Sequence, residues 1–127
     1  SNVSKGGHVV INGQACKINQ VSKRGEKLHI IGSDLFTGKK QELSVMPGEH
    51  VDIPSVKRNQ YQFLYIDDDV LHLLESNGSE KNDIPVLKRE VGNKTREFEE
   101  SGMDAFVTVI SAMGQEVAVA VKQAPTY

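Results

Sequence analysis

The sequence predicts an all-β chain made of two small barrels. Three observations predict it. Short β-rich runs alternate with turn signals along almost the whole chain. A proline-ended boundary near Pro54 divides those runs into two groups. The second group is interrupted by one helical stretch, which is how an OB-type barrel looks in sequence.

In the first group, Val9-Val10-Ile11 runs into Asn12-Gly13, the strongest short hairpin signal. Gln14 to Val21 is the returning strand. Leu28 to Ile31 is a further apolar strand leading into Ser33-Asp34-Leu35-Phe36. Thr37-Gly38 turns the chain, and Gln41 to Val45 returns from it. Pro47-Gly48 marks the next turn. Val51 to Ile53 is a short strand that Pro54 ends, because proline brings no N–H to a ladder.

In the second group, Gln60 to Ile66 alternates polar with apolar and aromatic residues, as a half-buried strand does. Asp67-Asp68-Asp69 turns into a strand over Val70 to Leu74. Ser76-Asn77-Gly78-Ser79 turns again, with Asn82 to Pro85 pairing beyond it. Leu87, Val91 and Phe98 fall on one face of a helix. Ser101-Gly102 stops that helix, and Gly92 weakens its middle. Ala105 to Ile110 and Val117 to Val121 close the chain. Each group is expected to fold by itself, over residues 1–55 and 56–127.

The length of 127 residues admits one ordinary domain or two small ones. No apolar run approaches the roughly 20 residues of a membrane helix, so no membrane contact is expected. The start, Ser1 to Gly7, has no apolar stretch of the kind a signal peptide carries, and Ser1-Asn2 in place of Met reads as an altered end. Cys16 is the only cysteine, which rules out an internal disulfide and fits a reducing compartment, the cytoplasm. Residues 1–56 hold seven Lys/Arg against five Asp/Glu, a balance of +2; residues 57–127 hold eight against twelve, a balance of −4. That asymmetry suggests two surfaces with different partners, although composition alone favours two ordinary solvated faces.

Residues with chemical potential are few. His8, His29, His50 and His72 lack metal-ligand spacing, so no metal site is expected. Cys16 lies in an apolar strand, where a thiol is buried and inert. Asp67-Asp68-Asp69 lacks the Gly and closing Glu of a calcium loop. There is no Gly-rich phosphate loop and no Ser/His/Asp arrangement, so no catalytic residue is expected. Lys23, Arg24, Lys27, Lys39 and Lys40 form a cationic set on two loops, read as RNA backbone contacts against the simpler reading of a solvated face. Tyr61, Phe63 and Tyr65 form an alternating stripe, read as core ahead of a base-stacking platform.

Four segments together resemble the eukaryotic translation factor five-A family. They are Gly7-His8-Val9-Val10-Ile11-Asn12-Gly13-Gln14-Ala15-Cys16-Lys17-Ile18, with Ala15 where the family has Pro; His29 to Lys40; Val51 to Arg58; and Val107 to Lys122, which contains Ser111-Ala112-Met113-Gly114-Gln115-Glu116. Their order and register cover nearly the whole chain. The resemblance implies an N-terminal SH3-like barrel followed by a C-terminal OB-fold barrel with one short helix.

It also implies a function. Such a factor is not an enzyme and holds no bound cofactor. It binds the ribosome at large-subunit rRNA beside peptidyl-tRNA, promotes peptide bond formation at stalling stretches such as polyproline, and aids termination. It acts through a lysine converted to hypusine, derived from spermidine by deoxyhypusine synthase and deoxyhypusine hydroxylase. A homodimer is an option within the family. The family's modified lysine lies in a loop reading Ser-Lys-Thr-Gly-Lys-His-Gly-His-Ala-Lys. Here the shorter run Ser22-Lys23-Arg24-Gly25-Glu26-Lys27 stands in its place, without the Gly-Lys-His core, so the modified lysine is not assignable. Either the chain is a divergent member that lost the loop, or the tip of a longer loop is missing from these residues; the well-kept flanks favour the second. The alternative functions are a general OB-fold RNA-binding protein and a divergent adaptor without hypusine.

Overall fold

Paired left-handed residues punctuate the chain. At Asn12-Gly13, Asp68-Asp69 and Met113-Gly114 both central residues have positive φ, from 49° to 79°. That is the requirement of a type I′ turn, whose twist matches the strands it joins. Each turn closes a two-residue hairpin and fixes register: Ile11↔Gln14, Asp67↔Val70 and Ala112↔Gln115. The computed structural model describes residues 3–125; Ser1 and Asn2, read above as an altered end, lie outside them.

Contacts divide the chain into two units, Ser1–Val56 and Lys57–Tyr127. The first holds β1 (His8–Ile11), β2 (Gln14–Arg24), β3 (Lys27–Asp34) and β4 (Lys40–Val45), joined in that order as an antiparallel four-stranded sheet. The edge strands β1 and β4 come into contact, so the sheet curls toward a barrel. Val9, Ile11, Cys16, Ile18, Ile30 and Val45 fill its inside. Asp34 is buried, and its Oδ1 accepts the Phe36 N–H at 2.8 Å and the Thr37 N–H at 3.1 Å, which shapes the Thr37-Gly38 turn.

The expected strand at Val51–Ile53 does not form. That segment makes one bond to the sheet, the Val10 N–H donating to the Asp52 carbonyl at 2.9 Å. With Pro54 immediately after it, the segment has no second ladder rung, and it lies on the barrel as extended coil.

The second unit holds β5 (Lys57–Asp67), β6 (Val70–Leu74), β7 (Glu80–Pro85), α1 (Arg89–Ser101), β8 (Ala105–Ala112) and β9 (Gln115–Gln123). Its sheet order is β7-β6-β5-β8-β9, with the edges β7 and β9 in contact, and the helix falls between its third and fourth strands as expected. Phe63, Leu71, Leu73, Ile84, Val107, Val109 and Val121 build the core. The helix presents Val91, Gly92 and Thr95 to it, and Gly102 ends the helix at φ 70° by donating its N–H to the Phe98 carbonyl.

Leu87, expected on that face, is 56% exposed. The helix starts two residues later, after an extended Lys88, so its period never reaches Leu87. Gly92 has close neighbours: a Cβ there would sit 2.9 Å from the Arg96 guanidinium and 3.0 Å from Val86 Cγ1.

Candidate nucleic-acid interface

The register of the first sheet sorts the predicted cations. β2 and β3 pair without a break to Arg24↔Lys27, and the hairpin closes on Gly25-Glu26 with Gly25 at φ 64°, the left-handed value a two-residue turn needs at its first position. Arg24 and Lys27 stand opposite each other at its end, both exposed. Lys23 goes elsewhere. It pairs with Leu28, which pairs with Val45, so it lies on the core side of the sheet. There it lines an apolar groove of about 580 Å³ with Leu28, Val45, Met46 and Pro47. Lys40 is in β4 and faces the same side as Arg24, whereas Lys39 is in the exposed connection before it. Of the two cations of this unit outside the predicted set, Lys5 and Lys17, it is Lys17 that joins the sheet face, pairing with Ser33, the partner of Lys40. None of these lysines and arginines forms an ion pair among the described residues.

His29 lies on this outer face between Ser44 and Glu42, with Nδ1 3.2 Å from the serine Oγ and Nε2 3.1 Å from the glutamate Oε1. The order is that of a hydrolytic triad, yet the three stand side by side on a sheet face, and they line neither the groove beside Leu28 and Val45 nor that beside Val91 and Val121. A cross-strand hydrogen-bond ladder accounts for them. No group of three His, Cys, Asp or Glu that would hold a metal occurs among the described residues.

Cys16 is buried, and burial, helped by the charge of Asp34, pushes its thiol pKa up, away from a nucleophile's. In the second unit the Lys81 ammonium lies 3.0 Å from Asp83 Oδ1 and 3.1 Å from Glu116 Oε1. Burial acts to lower its pKa, but the hydrogen bonds to the two carboxylates outweigh it and hold the pKa above the ordinary lysine value.

The aromatic stripe splits. Phe63 is buried and Tyr61 packs against the core, as expected. Tyr65 is 43% exposed and stacks on His72, with ring centroids 4.1 Å apart. The cause is a bulge: register passes from Phe63↔Leu73 to Tyr65↔His72, leaving Leu64 unpaired and inverting the phase. The His72 ring also meets Glu80, whose Oε1 accepts from Nδ1 at 3.1 Å.

The fold has counterparts. Residues 1–50 match a family model described as translation initiation factor 5A-like, N-terminal. Residues 55–122 match one described as eukaryotic elongation factor 5A hypusine, DNA-binding OB fold. The chain is 43% identical to eukaryotic translation initiation factor 5A-2 of Schizosaccharomyces pombe, over 99% of this chain and 78% of that protein. The chain belongs to the translation initiation factor 5A family. It is 42% identical to factor 5A-2 of Saccharomyces cerevisiae, over 98% of its own length and 83% of the yeast protein's.

A solved structure of a family protein from Naegleria fowleri superposes with a TM-score of 0.86 at 34% identity, covering 95% of this chain and 93% of that one. Factor 5A of Methanococcus jannaschii, at 23% identity and a TM-score of 0.73 over 95% of this chain, shares the fold. The chain is therefore an all-β translation factor, an N-terminal SH3-like unit followed by an OB fold with one short helix, and not an enzyme.

Proposed function

We propose that the chain acts on the ribosome as an elongation factor, through the β2–β3 hairpin of its first unit. The observation that carries this is the family match across both units together with an exposed hairpin end holding two cations, Arg24 and Lys27, that form no ion pair among the described residues. A narrow β-hairpin brings positive charge to a point that a crevice in rRNA admits. Its target is large-subunit rRNA beside peptidyl-tRNA. There the factor orients the acceptor end and raises the rate of slow peptide bonds, polyproline above all, while ribosomal RNA makes the bond. Termination gains by the same orientation.

In the full form of this reading, the loop between Ser22 and Lys27 bears a hypusine. Deoxyhypusine synthase transfers the aminobutyl arm of spermidine to a lysine Nζ, breaking the arm's bond to the secondary amine and releasing 1,3-diaminopropane, and deoxyhypusine hydroxylase then puts one oxygen atom of O2 into a C–H bond of the arm, the other leaving as water. The arm adds a second amine and length. The site of action is the cytoplasm.

A second reading is an RNA-binding adaptor without hypusine. One observation favours it: the ladder runs unbroken to Arg24↔Lys27, leaving Gly25-Glu26 and no lysine at the tip. The intact mass of the chain isolated from its own cells separates the two. A mass above that of the 127 residues, with the increment mapped between Val21 and Leu28, supports the hypusine form; the bare mass refutes it. Ribosome binding is tested by sedimentation with large subunits at two salt concentrations. Reversal of Lys39 and Lys40 to Glu should weaken it most at low salt, and unchanged binding at both salts would remove the basic face from the contact. Lys81 is no neutral control for such a test, because it is held by two carboxylates; Lys122, exposed and in no ion pair among the described residues, is the better one.

A further inference from the structure

Lys17 and Arg24 lie seven positions apart in one strand, so a regular two-residue period puts them on opposite faces. The structure puts them on the same face. Register passes from Ile18↔Gly32 to Gln20↔Ile31, leaving Asn19 as a bulged residue that inverts the phase. Before the bulge Lys17 points away from the buried Ile18; after it Gln20, Ser22 and Arg24 point away from the side of Ile30. Their partners across β3 and β4 lie on that same outer face: Ser33 and Lys40 beside Lys17, His29 and Ser44 beside Ser22, Lys27 beside Arg24.

The face therefore has cations at both ends. Lys17 and Lys40 stand at one, Arg24 and Lys27 at the other, six residues away along β3, about 20 Å at strand rise. Its one carboxylate, Glu42, is engaged by His29. Four cations against one anion give the face +3, more than the +2 of the whole of residues 1–56, so the rest of that unit sums to −1. Between the ends lie the amides and hydroxyls of Asn19, whose Nδ2 donates to Ser33 Oγ, and of Gln20, Ser22 and Ser44, set around His29 and the half-buried Ile31. No Phe, Tyr or Trp is available for base stacking there, since Phe36, the only one of residues 1–56, is buried; the rings on this face are the imidazoles of His8, opposite Lys17, and His29, which Ser44 and Glu42 hold.

We infer that this outer face is a track for the backbone of a single RNA strand a few nucleotides long, with Lys17 and Lys40 holding one end and Arg24 and Lys27 the other. Cations at the ends take phosphates; the amides and hydroxyls between them take phosphate oxygens and 2′-hydroxyls. Without a Phe, Tyr or Trp platform the track reads backbone and not sequence. The assignment to RNA, and not to an acidic protein, rests on the ribosomal reading above.

The test is fluorescence anisotropy of an end-labelled twelve-nucleotide oligouridine titrated with the 127-residue chain over a range of salt. Lys17→Gln should weaken binding several-fold at low salt and flatten the plot of log affinity against log salt by about 0.7, the loss of one phosphate contact on a single strand. Lys23→Gln, on the core side of the sheet, should leave the slope alone. So should Arg89→Gln, in the basic groove of about 540 Å³ that Lys88, Arg89 and Lys94 line in the second unit.

Equal losses from Lys17→Gln and Lys23→Gln would overturn the track, because charge without facing would then explain binding. A loss confined to Arg89→Gln would overturn it by moving the RNA to the second unit. Equal affinity for an oligoglutamate of matched charge would mark an acidic-protein site, and no RNA binding by the parent chain at low salt would refute the track outright. Thermal melts of each variant separate misfolding from lost contact. If the chain sediments with ribosomal subunits while Lys17→Gln leaves the RNA slope unchanged, the track falls and the ribosomal reading stands; RNA binding through Lys17 without sedimentation gives the reverse.

Discussion

Replacing Gly32 by Ala tests the packing that holds β2 against β3. Gly32 has ordinary strand backbone, so the question is one of space. A Cβ there would sit 2.9 Å from the Lys17 carbonyl oxygen, 3.2 Å from Cys16 Cβ and 3.4 Å from Ile11 Cδ1. The two nearest atoms are a backbone oxygen and a Cβ anchored on backbone, and neither can swing aside. Overpacking of this kind costs about 1–3 kcal/mol. The stiffer unfolded chain gives back about 0.4–1 kcal/mol. The expected net is a loss of about 1–2 kcal/mol, with a fall of about 4–8 °C in the melting temperature per kcal/mol for a unit of this size.

Gly92→Ala is the matched contrast. There the nearest atom is the flexible Arg96 guanidinium at 2.9 Å, and the helix gains about 0.8–1 kcal/mol of propensity. Moving Arg96 releases its exposed pairing with Asp69, worth about 1 kcal/mol at most. The net is near zero unless Val86 resists. Urea denaturation followed by amide signals from each unit reads both variants. A Gly32→Ala chain as stable as its parent would mean that β2 and β3 do not pack as closely as described.

Two further outcomes are expected. Phe98 is only half-buried, so Phe98→Ala should cost less than the about 3–5 kcal/mol of a fully buried phenylalanine, about 2 kcal/mol by urea titration; a cost near zero would detach the helix face from the core. Lys81 has a raised pKa in the folded chain, so its stabilisation is complete below the ordinary lysine value of about 10.4 and fades as pH rises through the raised one. The stability gap between parent and Lys81→Gln should be flat across neutral pH and shrink only at strongly alkaline pH; a gap that grew there would reverse the sign of the argument.

Much of this fold was legible because its turns carry their own chemistry. Asn12-Gly13 and the Asp67-Asp68-Asp69 run announce hairpins, but several strands run past the bounds read: β2 goes on to Arg24 and β3 starts at Lys27, so Ser22, Lys23, Arg24 and Lys27, expected on a loop, lie in the ladder and only Gly25-Glu26 turn. What stayed hidden was mainly phase. A bulge at Leu64 turns Tyr65 out of the core, and one at Asn19 turns Arg24 onto the face of Lys17. A two-residue period has no term for an extra residue, so Tyr65 was read with Phe63, and the five predicted cations were read as one set although Lys23 faces the other way. Leu87 was misread because an extended Lys88 delays the helix. Val51–Ile53 has the composition of a strand and lacks the neighbour to pair with. The candidate interface was legible as charge, and only the register shows which charges stand together.

The rate of tri-proline synthesis by purified ribosomes, with and without the chain isolated from its own cells and alongside an alanine-rich control message, tests whether the chain speeds peptide bond formation, as proposed. A large acceleration is expected on the proline message, with little change on the control and loss of the effect when Arg24 and Lys27 are both reversed to Glu in a chain that still melts like its parent. Equal rates on the proline message with and without the chain would contradict it.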